Sequence, residues 1–101
     1  MRTITEKEFE ETINNPHVLV QFSAPWCGPC KALSMTLTQT AKDNPDLTIV
    51  KVDIEDCPAV AASFQIRSVP TLIYFKAGTE IKKTIGAKPI NKLQDFIDEC
   101  K

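Results

Sequence analysis

The sequence predicts an α/β fold in which a mixed β-sheet is sandwiched between helices, and three observations carry that expectation. The near-continuous apolar run 17–22 reads as a strand covered on both faces, and 47–54 as a second interior strand. A segment with helical spacing lies between them, so the two strands call for a parallel crossover. A strand–turn–strand pattern over 71–85 then adds antiparallel strands at one side. With 101 residues, 43% of them apolar, the chain has material for one domain, 1–101, with a core of its own. No repeat, low-complexity tract or Gly/Ser linker divides it.

Each element has a local cause. Thr5-x-x-Glu8 is a capping-box pattern, and Phe9 and Ile13 follow at i, i+4, which predicts a helix near 6–14 ended by Asn14-Asn15-Pro16. The strand 17–22 comes next. Leu33, Leu37 and Ala41 recur at spacing four, so 28–42 reads as a helix closed by Asp43-Asn44-Pro45. After the second interior strand, Pro58 suits the first turn of a short helix over 58–64. The hairpin pairs 71–76 with 80–85 across Ala77-Gly78-Thr79, and its Lys82-Lys83 reads as a solvated face. Pro89 opens a last helix whose Ile90, Leu93, Phe96 and Ile97 suit one apolar stripe.

Charge narrows the function classes. Lys and Arg number 12 against 13 Asp and Glu, a net charge of -1, without the basic excess that nucleic acid or an anionic membrane surface requires. No apolar run approaches the ~18–20 residues of a membrane span. The segment Met1-Arg2-Thr3-Ile4-Thr5-Glu6-Lys7-Glu8 has no apolar signal region, so the expectation is a cytoplasmic chain that uses its thiols for chemistry.

Those thiols are Cys27, Cys30, Cys57 and Cys100. Trp26-Cys27-Gly28-Pro29-Cys30-Lys31 falls where a buried strand hands over to a helix. Cysteines at i and i+3 on one helix face lie about 5–6 Å apart, within reach of a disulfide. Cys27 is also nearest the helix N-terminus, where free N–H groups favour negative charge by about 0.3–2 kcal/mol and draw a thiol toward neutrality. Cys30, a turn inside, feels less of that field and is expected to be better buried, so Cys27 attacks and Cys30 resolves. The competing reading is half of a zinc site. Tetrahedral zinc takes four ligands, yet there is no second C-x-x-C, His17 is the lone histidine, and Cys57 and Cys100 would have to reach in from afar, so no metal is expected.

Phe22-Ser23-Ala24-Pro25-Trp26-Cys27-Gly28-Pro29-Cys30-Lys31 resembles the active-site segment of the thioredoxin family. Arg67-Ser68-Val69-Pro70-Thr71-Leu72 is similar to its second signature and Gly86-Ala87 to its third, in the same order along nearly the whole chain. The resemblance implies the thioredoxin fold, a central mixed β-sheet of about five strands flanked by about four helices. It also implies a protein-disulfide reductase that binds no cofactor. Disulfide-containing client proteins would be its substrates, and a thioredoxin reductase would return electrons to it from NADPH through a flavin. A monomer is expected.

The resemblance further implies that Pro70 is a cis proline facing the cysteines. Trp26, Gly28, Pro29, Val69, Pro70, Gly86 and Ala87 would then form a shallow apolar docking surface, with the Val69 backbone open to an extended client segment. Trp26 is expected to have one face packed and one edge exposed.

Four positions depart from the family pattern or stand outside it. Gln21 occupies the place of a buried aspartate that handles the Cys30 proton, while Lys51 matches its neighbouring lysine. Glutamine bonds but does not titrate, so either resolution is slower or leans on water and Lys51, or the swap is neutral. Met35 replaces a proline that kinks the active-site helix, which predicts a straighter helix. Cys57 reads either as a small apolar filler or as a thiol with a somewhat lowered pKa at a helix start. Cys100 reads as a frayed surface thiol.

Overall fold

The computed structural model describes residues 1–101 and has the element order β1 (Arg2–Thr3), α1 (Glu6–Ile13), β2 (Val18–Ser23), α2 (Gly28–Asp43), β3 (Thr48–Asp53), α3 (Pro58–Ser63), β4 (Thr71–Lys76), β5 (Thr79–Ile85) and α4 (Ile90–Cys100). The sheet order is β1-β3-β2-β4-β5. β1, β3 and β2 run parallel, whereas β4 is antiparallel to β2 and β5 to β4. Every residue of β2 is buried, as its apolar run requires of a strand covered on both faces.

Side-chain alternation along the strands splits the core in two. Val18, Val20, Phe22, Val50, Val52, Ile73 and Phe75 meet Phe9 and Ile13 of α1 and Val60 of α3 on one face. Leu19, Ile49, Leu72 and Tyr74 meet Leu33 and Leu37 of α2 and Leu93, Phe96 and Ile97 of α4 on the other. Helix α1 begins as its sequence requires: the Thr5 hydroxyl accepts from the Glu8 N–H while the Glu8 carboxylate accepts from the Thr5 N–H at 2.9 Å. Ala77 and Gly78 both take positive φ, the two-residue turn whose twist matches a hairpin.

Two expectations change. The chain opens with a strand rather than a helix, because Arg2–Thr3 adds to the edge of β3 through backbone pairing that no apolar pattern announces. Cys100 is not a frayed surface thiol. It is 2% exposed, because α4 persists to that residue and extends the stripe of Leu93, Phe96 and Ile97 by one more turn. Met35 is exposed on α2, which runs unbroken for 16 residues.

Tyr74 is fully buried, with its hydroxyl 2.9 Å from His17 Nδ1. Burial first, and then the charges of Cys100 and Asp46, push its pKa up from about 10 to about 12. The protonated phenol is therefore favoured in the folded chain, so its contribution to stability is complete below pH 10 and is lost as pH rises through about 12. The chain has a single tyrosine, so tyrosinate absorbance reports this group alone. Between pH 10 and 11 the native protein is expected to stay largely un-ionised while the urea-denatured protein ionises. Coincident titrations would contradict the assignment.

Candidate active site

The Trp26–Lys31 segment forms the passage from β2 into α2. Cys27 is the N-cap of α2, with extended backbone, and its Sγ accepts the Cys30 N–H at 3.2 Å. Pro29 sits in the first turn, where its missing N–H costs nothing. Cys27 and Cys30 are joined as a disulfide, with Cα atoms 5.3 Å apart. Burial does not separate them in this oxidised form, since Cys27 is 4% and Cys30 3% exposed. What separates them is position, because only Cys27 stands at the end of the helix dipole.

The three motifs converge. Ala24, Cys27 and Cys30 form a small apolar cluster against which Val69 and Ile54 pack. The Val69–Pro70 bond is cis, and the Gly86 N–H donates to the Pro70 carbonyl at 2.9 Å, tying the second motif to the third. Gly28, Pro29 and Ala87 are exposed, Val69 and Gly86 half-buried and Pro70 buried. Trp26 is 68% exposed, more than one packed face would allow, and its indole N–H donates to Glu55 at 2.8 Å.

Beneath the disulfide lies the fully buried Gln21. Its Nε2 donates to the Cys30 carbonyl at 3.0 Å and its Oε1 accepts the Ser34 hydroxyl at 3.0 Å. Both ends of the amide are thus satisfied, which removes the cost of burying it. Lys51 is its register partner on β3, half-buried, and lines a cleft of about 250 Å³ together with Cys30, Ser34 and Asp53.

The other two thiols are remote from this chemistry. Burial, with the negative charges of Glu6, Asp56 and Asp53 behind it, pushes the Cys57 thiol up. The reading of a lowered pKa at a helix start is therefore corrected: Cys57 is 1% exposed, and the filler reading describes it. Burial also pushes Cys100 up, with Lys82 and Lys76 opposing and Glu99 adding to the effect. No group of three or more His, Cys, Asp or Glu side chains is placed to hold a metal ion, and no helix is long and apolar enough to cross a membrane.

Reading by motif missed Ser34, Glu55 and Asp53. The signal for Asp53 was present: Lys51 and Asp53 alternate with Val50 and Val52, so two polar side chains share one strand face with Gln21 and Ser23.

A vicinal cysteine pair that closes a disulfide at a helix N-terminus, beside a cis proline at a strand start, defines a thiol–disulfide oxidoreductase. Comparison with known proteins agrees. Residues 1–99 match the family model described as Thioredoxin. The thioredoxin of Chlamydia trachomatis is 37% identical over 99 residues, covering 98% of this chain and 97% of its own. Mitochondrial thioredoxin 3 of Saccharomyces cerevisiae in its oxidised form superposes with a TM-score of 0.87 at 33% identity, covering 98% of this chain and 93% of that one. A chain from structural work on thiol resolution in yeast mitochondrial 1-Cys peroxiredoxin via the glutathione and thioredoxin systems also gives 0.87, at 32% identity over the same shares.

This chain belongs to the thioredoxin family. It performs dithiol–disulfide exchange through Cys27 and Cys30 on the disulfides of client proteins, and like its family it binds no cofactor itself.

Proposed function

We propose that the protein is a general protein-disulfide reductase working as a single-domain monomer, with Cys27 as nucleophile and Cys30 as resolving thiol. The observation that carries this reading is the Cys30 N–H directed at Cys27 Sγ at the mouth of α2. In the reduced protein that donor and the helix end stabilise a Cys27 thiolate, the form that attacks disulfides. The thiolate attacks a client sulfur and forms a mixed disulfide. Cys30 then attacks Cys27, the client leaves as a thiolate that takes up a proton, and two electrons have passed from the chain to the client.

Clients dock across Trp26, Gly28, Pro29, Val69, Pro70, Gly86 and Ala87. Val69 offers backbone groups to an extended segment next to the sulfur, in the manner of strand addition. Gln21 and Lys51 support the second step from below. The oxidised pair is returned to the dithiol by a thioredoxin reductase that draws on NADPH through its flavin. The setting is the cytoplasm, where thiols are kept reduced and such electron transport serves redox homeostasis.

The test supplies the oxidised chain, NADPH, a thioredoxin reductase and insulin. NADPH oxidation that requires both the chain and insulin, with insulin chains separating, is the expected result. Reduction of insulin by dithiothreitol-reduced chain but no NADPH oxidation with any thioredoxin reductase would overturn the proposed electron source.

A further inference from the structure

The second step needs a place for the Cys30 proton, and Gln21 cannot take it. Its amide is already committed at both ends, to the Cys30 carbonyl and the Ser34 hydroxyl. Cys30 nevertheless lines the cleft of about 250 Å³ described above. The ionisable side chains on its walls are Lys31 from α2 and Lys51 and Asp53 from β3, while β1 and β2 contribute Thr3 and Ser23. Lys51 and Asp53 lie two residues apart on the strand face that looks toward α2, next to Gln21 and Ser23 in register. Asp53 is held in place, because its Oδ1 accepts the Glu55 N–H at 2.8 Å. That bond uses one carboxylate oxygen and leaves the other free to accept. A cleft of this volume and polarity has room for bridging water.

The geometry points to Asp53 as the proton acceptor for Cys30, reached through water in this cleft. The step balances. In the mixed disulfide the Cys30 thiol gives its proton to water, and water gives one to the Asp53 carboxylate. The Cys30 thiolate then forms the Cys27–Cys30 bond as the bond from Cys27 to the client sulfur breaks, and the client sulfur leaves with the electron pair. This assignment rests on the order of attack proposed for Cys27 and Cys30. It relocates the proton-accepting carboxylate from β2, where Gln21 stands, to β3.

The experiment mixes dithiobis(nitrobenzoate) with the reduced chain in excess and follows release of the coloured thiolate by stopped flow. The first equivalent reports attack by Cys27 and the second reports resolution by Cys30. Asp53→Asn keeps an oxygen for the Glu55 N–H but removes the base. At pH 7 its first phase is expected to match the unsubstituted chain. Its second is expected to slow at least about tenfold, less than the ~10²–10⁴ typical of a directly bonded base because water intervenes. The deficit narrows at alkaline pH as hydroxide replaces the carboxylate, and Asp53→Glu, which retains a carboxylate, stays within about threefold. An unchanged second phase, equal slowing of both phases, a deficit independent of pH, or Asp53→Glu as slow as Asp53→Asn would each overturn the assignment. Failure of the underlying order of attack is read separately: Cys27→Ser would then still release the first equivalent at the unsubstituted rate.

Discussion

Cys30→Ser is expected to arrest the protein as a covalent adduct, one client joined through Cys27, with multiple-turnover reduction lowered at least on the order of 10³-fold. The magnitude follows from geometry. Cys30 sits one helical turn from Cys27, with Cα atoms 5.3 Å apart, and the two sulfurs already meet in the oxidised form. A thiol held this way acts with an effective molarity that reaches ~10⁵–10⁸ M in well-oriented systems, whereas an external thiol at millimolar concentration must arrive by diffusion. Serine fills nearly the same volume and leaves the backbone N–H of residue 30 donating to Cys27 Sγ. Formation of the adduct should therefore stay close to the unsubstituted rate while its breakdown fails. Cys27→Ser removes the attacking sulfur, so it should yield neither adduct nor turnover. Mass spectrometry of the chain after mixing with insulin, without reductant, reads both variants. A Cys30→Ser chain that turns over at the normal rate, or gives no adduct, would show that the second thiol has no resolving role.

The order of strands and helices was legible because burial on two faces and burial on one leave different patterns. The near-continuous apolar run of β2, interrupted only at Gln21 before Ser23, marks an interior strand, and the spacing of Leu33 and Leu37 marks one face of α2. β1 was not legible, because two exposed residues paired by backbone alone leave no mark in side-chain pattern. The end of α4 was misjudged by its nearness to the terminus, although Cys100 stands four residues after Phe96 and three after Ile97, on the same stripe. At the site, the cysteine pair, Pro70 and Gly86 could be read as motifs. The partnership of Gln21 with Ser34 could not, since it depends on how α2 crosses over β2, and that crossing is decided by the packing of Leu33 and Leu37 on Leu19 and Leu72. The cleft beside Cys30 has the same origin. It lies where the polar alternate positions of β2 and β3 fall under the open end of the helix, so it is a product of register rather than of any contiguous motif.

Phe75→Ala is expected to cost about 3–5 kcal/mol, the range for deleting a fully buried aromatic ring. Phe75 is 1% exposed on β4 and meets Phe64 edge-on at 5.4 Å and Phe9 edge-on at 6.0 Å. Three elements lose a common partner: α1 through Phe9, the segment after α3 through Phe64, and the sheet itself. Domains of this size hold only about 5–15 kcal/mol in total, so about a fifth or more of the stability is at stake. At about 4–8 °C per kcal/mol for a domain near 100 residues, Tm should fall by at least about 12 °C. Phe75 faces away from α2, so it touches neither cysteine. Well below the variant's Tm, the rate of attack by Cys27 should therefore be unchanged, and activity should vanish only together with the far-ultraviolet dichroism on heating. Met35→Ala, at a side chain 77% exposed, serves as the comparison and should stay within about 0.5 kcal/mol. Urea unfolding of both variants decides the matter. A loss below about 1 kcal/mol at Phe75 would mean that the ring does not bridge the two helices to the sheet, since burial of a ring this size cannot be replaced by relaxation alone.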